Sequence, residues 1–159
     1  MARRRGRVDR GAPTVLLSGN LGYRPTVQGA LWFAREVWPA LQARVPGVRW
    51  ILAGARPAAA VRRLDRLQGV ELHADVPDLA AYLDRATVSI APMKEGSGVP
   101  MKVLEAWAAG VPVVGHPWAA DGLEDGEEAV VVQHHFLVAV VVDVGGIGGR
   151  GHRVLPVGP

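Results

Sequence analysis

The chain has 159 residues, no cysteine and a formal net charge of +3. This length is enough for one domain with a hydrophobic core and too short for two full nucleotide-binding domains. The absence of cysteine excludes disulfides and thiolate metal sites, and a cytoplasmic protein is therefore expected. The longest apolar run, Phe136 to Val142, is far too short to span a membrane.

The positive charge lies at the N-terminus. The first ten residues hold five arginines and one aspartate, a net +4, which leaves −1 for the rest of the chain. Such a segment could contact nucleic acid or an anionic membrane, but a short solvated terminus is the simpler interpretation. No apolar segment follows the arginines, so a signal peptide is not expected. We therefore interpret residues 1–13 as a basic, flexible tail and expect no nucleic-acid or membrane partner.

Apolar strands and amphipathic helices alternate from residue 14 onwards. The predicted strands are Thr14–Ser18, Val48–Ala53, Val70–Ala74, Thr87–Ala91 and Val111–Gly115, followed by a short strand at Ala129–Val132. The predicted helices are one from the candidate N-cap Thr26 to Leu41 with a kink at Pro39, one from Pro57 to about Gln68, one after Pro77-Asp78, and one from Val99 to Ala109.

Strands that alternate with helices pair in parallel through right-handed crossovers. The predicted fold is therefore α/β, a Rossmann-like parallel sheet with helices on both faces. Ligands of such sheets bind beyond the carboxyl ends of the strands. The glycine-containing turns at Gly19, Gly54, Pro92 to Gly98 and Gly115 all lie at that rim.

The stretch from Ile90 to Pro117 combines a strand, a glycine loop, a short helix and a further strand. Gly96 and Gly98 allow a ligand to approach the backbone closely. Lys102 and Glu105 lie three residues apart, on one face of the predicted helix. Because a helix N-terminus attracts anions, this unit predicts a ligand that carries phosphate and hydroxyl groups.

The run from Gly96 to Val114, GSGVPMKVLEAWAAGVPVV, resembles the donor-binding motif of the group 1 (family 4) retaining glycosyltransferases. The resemblance extends from Thr14 to about Val132. It implies the C-terminal half of a GT-B fold, which binds the sugar nucleotide. It also implies hexosyl transfer with retention, with a nucleotide-diphosphate sugar as substrate and no cofactor.

The resemblance implies donor contacts from a set of residues in the first turn and in the glycine loop with its helix. They are Arg24, Gly96, Ser97, Gly98, Val99, Lys102 and Glu105. Glu105 matches the second glutamate of the family's E-x7-E motif, which binds the ribose hydroxyls. The position of the first glutamate, which contacts the transferred sugar, holds Ser97, with Glu95 two residues away. The chain therefore departs from the family pattern at the position that contacts the transferred sugar.

The arginine and lysine that neutralise the donor phosphates in many members of the family are also replaced. Asn20 stands at the arginine's place, and the lysine's place falls at about Pro25. Arg24 is the nearest cation and hence the candidate phosphate ligand, with a solvated loop arginine as the alternative. For Lys102 and Glu105 the alternative is an ordinary surface ion pair. For the glycine loop it is a plain flexible turn.

No side chain is assigned as catalytic, because in this family the donor phosphate is thought to help deprotonate the acceptor. His116, beside a proline, is better explained as a structural turn residue. His73, His134 and His135 have no third ligand at metal spacing, so no metal site is expected.

Residues 133–159 form a Val- and Gly-rich tail that does not match the family pattern. Within it, Gly146, Gly148 and Gly151 satisfy G-x-G-x-x-G, but only eight residues follow, which does not support a dehydrogenase. The resemblance implies an acceptor-binding domain that is expected to be absent from this chain. The alternative function is therefore a non-catalytic nucleotide-sugar-binding module, or a truncated remnant, that needs a partner acceptor domain.

Overall fold

The computed structural model describes residues 11–96 and 101–115, and the backbone of residues 130–134 and 137–141. Strands and helices alternate along the described residues. In chain order they are β1 (Thr14–Asn20), α1 (Arg24–Glu36), α2 (Trp38–Arg44), β2 (Arg49–Ala55), α3 (Ala59–Leu64), β3 (Val70–Ala74), α4 (Ala80–Arg85), β4 (Val88–Ala91), α5 (Met101–Ala108), β5 (Val113–Gly115), β6 (Val130–His134) and β7 (Leu137–Val141).

These strands form one sheet in the order β3-β2-β1-β4-β5-β7-β6. The first five strands of that order are parallel, which confirms the predicted Rossmann-like α/β fold. β7 then pairs antiparallel with β5, and β6 pairs antiparallel with β7. The strand order reverses direction at β1, which lies between β2 and β4. In an open α/β sheet this reversal marks the ligand crevice at the carboxyl ends of the strands.

Helices cover both faces of the sheet, as predicted. On one face, side chains of α1, α2 and α3 belong to one buried cluster. In this cluster the ring centroid of Trp50 lies 4.7 Å from that of Phe33 and 5.6 Å from that of Trp38. On the other face, Leu83 of α4 and Val103 of α5 belong to a second buried cluster. α5 therefore reaches the reversal point from the face opposite to α1.

The helix boundaries differ from the prediction in three places. The N-cap of α1 is Tyr23, and the predicted cap Thr26 is buried inside the helix. The kink expected at Pro39 is a break at Val37, because the proline ring excludes the carbonyl of the preceding turn. α3 ends at Leu64, where the chain passes into tighter turns: the N–H groups of Arg66 and Leu67 donate to carbonyls three residues earlier. The Oδ1 of Asp65 accepts the Leu72 N–H of β3 at 2.7 Å.

Backbone contacts tie the ends of β1 and β2 together. Gly19 and Gly54 are register partners, and a Cβ on Gly54 would lie 1.8 Å from the carbonyl oxygen of Gly19. The Leu21 N–H donates to the Ala55 carbonyl at 2.9 Å. At Gly54 the rim beside the reversal point therefore has no room for a side chain. No helix among the described residues has the length and apolarity needed to span a membrane.

We predict that Gly54→Ala destabilises the protein by about 3 kcal/mol or more, because the new methyl group cannot fit beside the Gly19 carbonyl. Gly47→Ala is the control. Gly47 has φ +77° but open space around it, so this substitution should lower the free energy of unfolding by only about 1 kcal/mol. Urea unfolding of both variants measures the difference. Equal destabilisation of the two variants would contradict the close approach.

Candidate functional site

The turn after β1 brings bare backbone to the reversal point. Gly19 has φ +111°, a conformation that favours glycine. The Oδ1 of Asn20 accepts the N–H of Gly22 at 3.0 Å, which closes the turn. Asn20 stands where the resemblance implied an arginine, and its side-chain oxygen is occupied by the hydrogen bond that closes the turn. The charge that the resemblance implied at this position is therefore not supplied by Asn20.

Lys102 supplies that charge from α5. Its side chain is only 8% exposed, and its Nζ lies 3.5 Å from the Thr26 Oγ1 of α1. A Cβ on Gly19 would lie 3.6 Å from the same Nζ, so the ammonium group rests against the first turn. None of the ion pairs among residues 11–96 and 101–115 includes Lys102. Lys102 and Glu105 therefore form no ion pair within 4 Å among these residues, although the charge of Glu105 acts on Lys102.

Burial of the ammonium group lowers the pKa of Lys102 from 10.5 to about 8, and the nearby charge of Glu105 opposes this only partly. A buried cation without a carboxylate in contact is unfavourable by itself. It becomes favourable when an anion binds beside it. Lys102 is thus a buried ammonium group whose charged form is disfavoured in the native protein.

Glu105 lies one helical turn beyond Lys102 and is half-buried. It lines an open cavity of about 630 Å³ that begins at Gly19 and Gly54. The opposite wall is the segment Val76–Ala80 after β3, together with Leu83 and Asp84 of α4. The structure therefore places the Lys102 ammonium group against Gly19, and Gly19 and Glu105 both line this cavity, whereas Lys102 is not among the described residues that line it.

Arg24 occupies a different position. It begins α1, its side chain is 79% exposed, and its Nε lies 3.8 Å from Glu95 Oε1. With its side-chain amide oriented to satisfy both neighbours, Gln28 donates to Glu95 Oε1 at 3.0 Å and accepts from Arg24 Nε at 3.3 Å. The charge of Arg24 is thus shared with a carboxylate at the protein surface. Its contact with phosphate stays a prediction.

Comparison with known families gives one decisive finding: the sequence model of the family described as Glycosyl transferases group 1 matches residues 12–143. The chain belongs to the group 1 glycosyltransferases. A search of curated proteins found no match. The family model covers the parallel sheet, the crevice and both antiparallel strands, and extends beyond the expected boundary at Val132.

In this group 1 glycosyltransferase, part of the predicted glycine loop can be placed. Gly96 follows β4 with φ +140°, and Glu95 beside it contacts α1. Ser97, Gly98 and Val99 lie outside the described residues, as do His116, His135 and the three glycines of the G-x-G-x-x-G pattern. The donor contacts assigned to the loop therefore stay predictions.

Sequence reasoning missed two features of the site. Thr26 is the hydrogen-bond partner of Lys102, whereas its position before an apolar helix suggested only a cap. Asp78 and Asp84 line the cavity, although each resembles an ordinary turn or surface residue. Their roles depend on how separate elements are brought together, and no local pattern carries that information.

The described part of the glycosyltransferase contains no group of three or more potential metal ligands. His73 lies with its Nε2 3.3 Å from Glu71 Oε2 and its ring 5.1 Å from that of Tyr82. It is on the edge strand β3 and does not line the cavity. Within the described residues, Lys102 is the buried cationic side chain, and its Nζ lies against Gly19, which lines the cavity.

The depressed pKa of Lys102 predicts a pH-dependent stability. Between pH of about 8 and 10.5 the unfolded chain keeps the proton that the native state has lost, so the free energy of unfolding rises with pH in this window. Below it, the buried charge costs about 3 kcal/mol. Lys102→Met should therefore stabilise the protein at pH 7 and much less at pH 10, as measured by urea unfolding.

The matched control is Lys94→Met, which removes an exposed lysine that stacks over Trp32. Its effect should be small and similar at both pH values. If Lys102→Met also changed stability equally at pH 7 and pH 10, the native ammonium group would have an ordinary pKa.

Proposed function

We propose that this chain is the donor-binding half of a retaining glycosyltransferase and that its crevice holds a nucleotide-diphosphate sugar. The observation that carries the proposal is the buried ammonium group of Lys102, which contacts Thr26 and the Gly19 turn at the strand-order reversal. Membership of the group 1 family supports glycosyl transfer as the reaction class. The donor, the retention of configuration and the role as one half of a cleft are parts of the proposal.

The donor diphosphate would bind between Lys102 and the first turn of α1. Tyr23, the N-cap of this helix, forms no side-chain capping bond, and the first turn contains no acidic residue. The free N–H groups of the turn thus face an environment without a competing carboxylate of the helix itself. The ammonium charge and the helix dipole both favour an anion here.

The ribose would bind to Glu105. Three residues along a helix correspond to a rise of roughly 4.5 Å, which is similar to the spacing between a diphosphate and its ribose. A carboxylate accepts hydrogen bonds from two neighbouring hydroxyl groups and donates none. Glu105 is therefore suited to the ribose 2′ and 3′ hydroxyls, while Lys102 is suited to the phosphate.

The transferred sugar would lie toward Gly96 and the loop that follows it. Since Ser97 replaces the first glutamate of the family motif, recognition of the sugar would depend on a hydroxyl group and on backbone N–H groups. The acceptor would be bound by a second domain, because a donor half supplies one side of the reacting centre. The donor phosphate itself would assist deprotonation of the acceptor.

We predict that Lys102→Met weakens binding of a nucleotide-diphosphate sugar by about ten- to a hundredfold, because a charge-assisted contact with phosphate is lost. Glu105→Gln should weaken binding by about tenfold, because the ribose then meets a neutral amide. Arg24→Gln should have a smaller effect, about threefold or less, since Arg24 is exposed and shared with Glu95. Calorimetric titration measures all three.

Lys94→Met is again the control, because Lys94 contacts Trp32 and does not line the cavity at Glu105. Thermal unfolding followed by circular dichroism verifies that each variant is folded. Folded Lys102→Met and Glu105→Gln variants that bind the donor as tightly as the parent would reject the proposed site.

We also predict that donor affinity decreases as the pH rises through about 8, where free Lys102 loses its proton. The decrease is at most tenfold per pH unit, because one proton must be taken up on binding. A nucleotide sugar is the appropriate titrant, since its diphosphate stays fully ionised throughout. The affinity of Lys102→Met should be independent of pH over the same range. An equal decrease for parent and variant would mean that another group titrates.

A further inference from the structure

We propose that Thr26 is a positioning residue for donor binding, because its buried hydroxyl group holds the Lys102 ammonium group against Gly19 and out of contact with Glu105. This inference rests on the proposed function and assigns to Thr26 a role that acts through Lys102.

Thr26 and Lys102 meet at the end of β1, although they belong to helices on opposite faces of the sheet. Thr26 lies in the first turn of α1, three residues after the N-cap Tyr23. Thr26 is 1% exposed and Lys102 is 8% exposed. The Nζ of Lys102 donates to the Thr26 Oγ1 at 3.5 Å, and a Cβ on Gly19 would lie 3.6 Å from the same Nζ. The ammonium group is therefore held between a hydroxyl group of α1 and the backbone of β1.

Lys102 has a charged alternative on its own helix. Side chains three residues apart on a helix are neighbours, so Lys102 and Glu105 could form an ion pair. No ion pair within 4 Å joins them among residues 11–96 and 101–115, although the charge of Glu105 acts on Lys102. The side-chain hydrogen bond that the structure gives to Nζ is the one to Thr26. The Glu105 carboxylate is thus left facing the cavity that it lines.

A hydroxyl group suits this position because it orients the ammonium group without neutralising it. It accepts one of the three N–H groups of the lysine and leaves two for the oxygens of an anion. A carboxylate at position 26 would form an ion pair with Lys102 and compete with the donor phosphate. A valine of the same shape would leave a buried ammonium group without its acceptor, which is unfavourable. Thr26 therefore fixes the position of the charge and preserves it.

The test is a double-mutant cycle of Thr26→Val and Lys102→Met, titrated calorimetrically at pH 7 with UDP-glucose, GDP-mannose and ADP-glucose. Thr26→Val should weaken binding of the preferred donor by about tenfold, because the ammonium group loses its acceptor. In the Lys102→Met background the same substitution should change the affinity by less than about twofold. Thr26→Ser keeps the hydroxyl group and should bind the donor within about threefold of the parent.

Thr14→Val is the matched control. Thr14 is also a buried threonine, and its hydroxyl group donates to the Ala12 carbonyl at 3.1 Å at the opposite end of β1 from Gly19. This variant should bind the donor like the parent. Circular dichroism verifies that each variant is folded, and Thr26→Ala replaces Thr26→Val in the cycle if the valine variant does not fold.

An equal loss of affinity from Thr26→Val in the parent and in the Lys102→Met background would overturn the proposal, since Thr26 would then act independently of the lysine. A serine variant that binds as weakly as the valine variant would overturn it as well.

A urea-unfolding cycle of the same variants without ligand distinguishes this proposal from the proposed donor site. Thr26→Val should destabilise the parent more than it destabilises Lys102→Met, because only the parent then holds an ammonium group without its acceptor. Absence of this coupling would overturn the contact between the two side chains, whatever the parent binds. If the coupling is present and the parent binds none of the three nucleotide sugars, the proposed donor site is rejected, and the role of Thr26 in donor binding with it.

Discussion

The structure of the candidate site depends on one buried charge. Lys102 extends from α5 to the carboxyl end of β1, where its ammonium group meets a glycine and a threonine hydroxyl and forms no ion pair with a described carboxylate. Burial without a counter-ion destabilises the native protein, and this cost is removed if an anion binds. Gly19 thus contacts the lysine, and its carbonyl oxygen leaves no room for a side chain at Gly54.

The first turn lacks the two cations that the family pattern predicts. Asn20 uses its side chain to close the turn and cannot neutralise a phosphate. Arg24 lies at the surface against Glu95. Lys102 reaches the same turn from the opposite face of the sheet, which is possible because α1 and α5 flank the strand-order reversal. Lys102 thus brings a positive charge to this turn from a different element.

The sequence predicted the strands, the alternation and the parallel pairing, because these follow from local apolar patterns and chain connectivity. It placed Lys102 and Glu105 on one helical face correctly, since that relation depends only on helical spacing. It could not give the contact between Lys102 and Thr26, which are 76 residues apart, or the position of Asp78 and Asp84 in the cavity. It also did not predict β7, because an apolar run near glycines does not reveal which strand it joins.

The side chain of Asp65 has a consequence for association. β3 is at the end of the strand order. The backbone N–H groups of such an edge strand can donate hydrogen bonds to a strand of another chain. Here Asp65 accepts the Leu72 N–H, and the Leu67 carbonyl accepts that of Val70. Two donors that would template an incoming strand are already occupied. A further strand therefore pairs less readily with β3, which lowers the tendency of this domain to aggregate through its sheet edge.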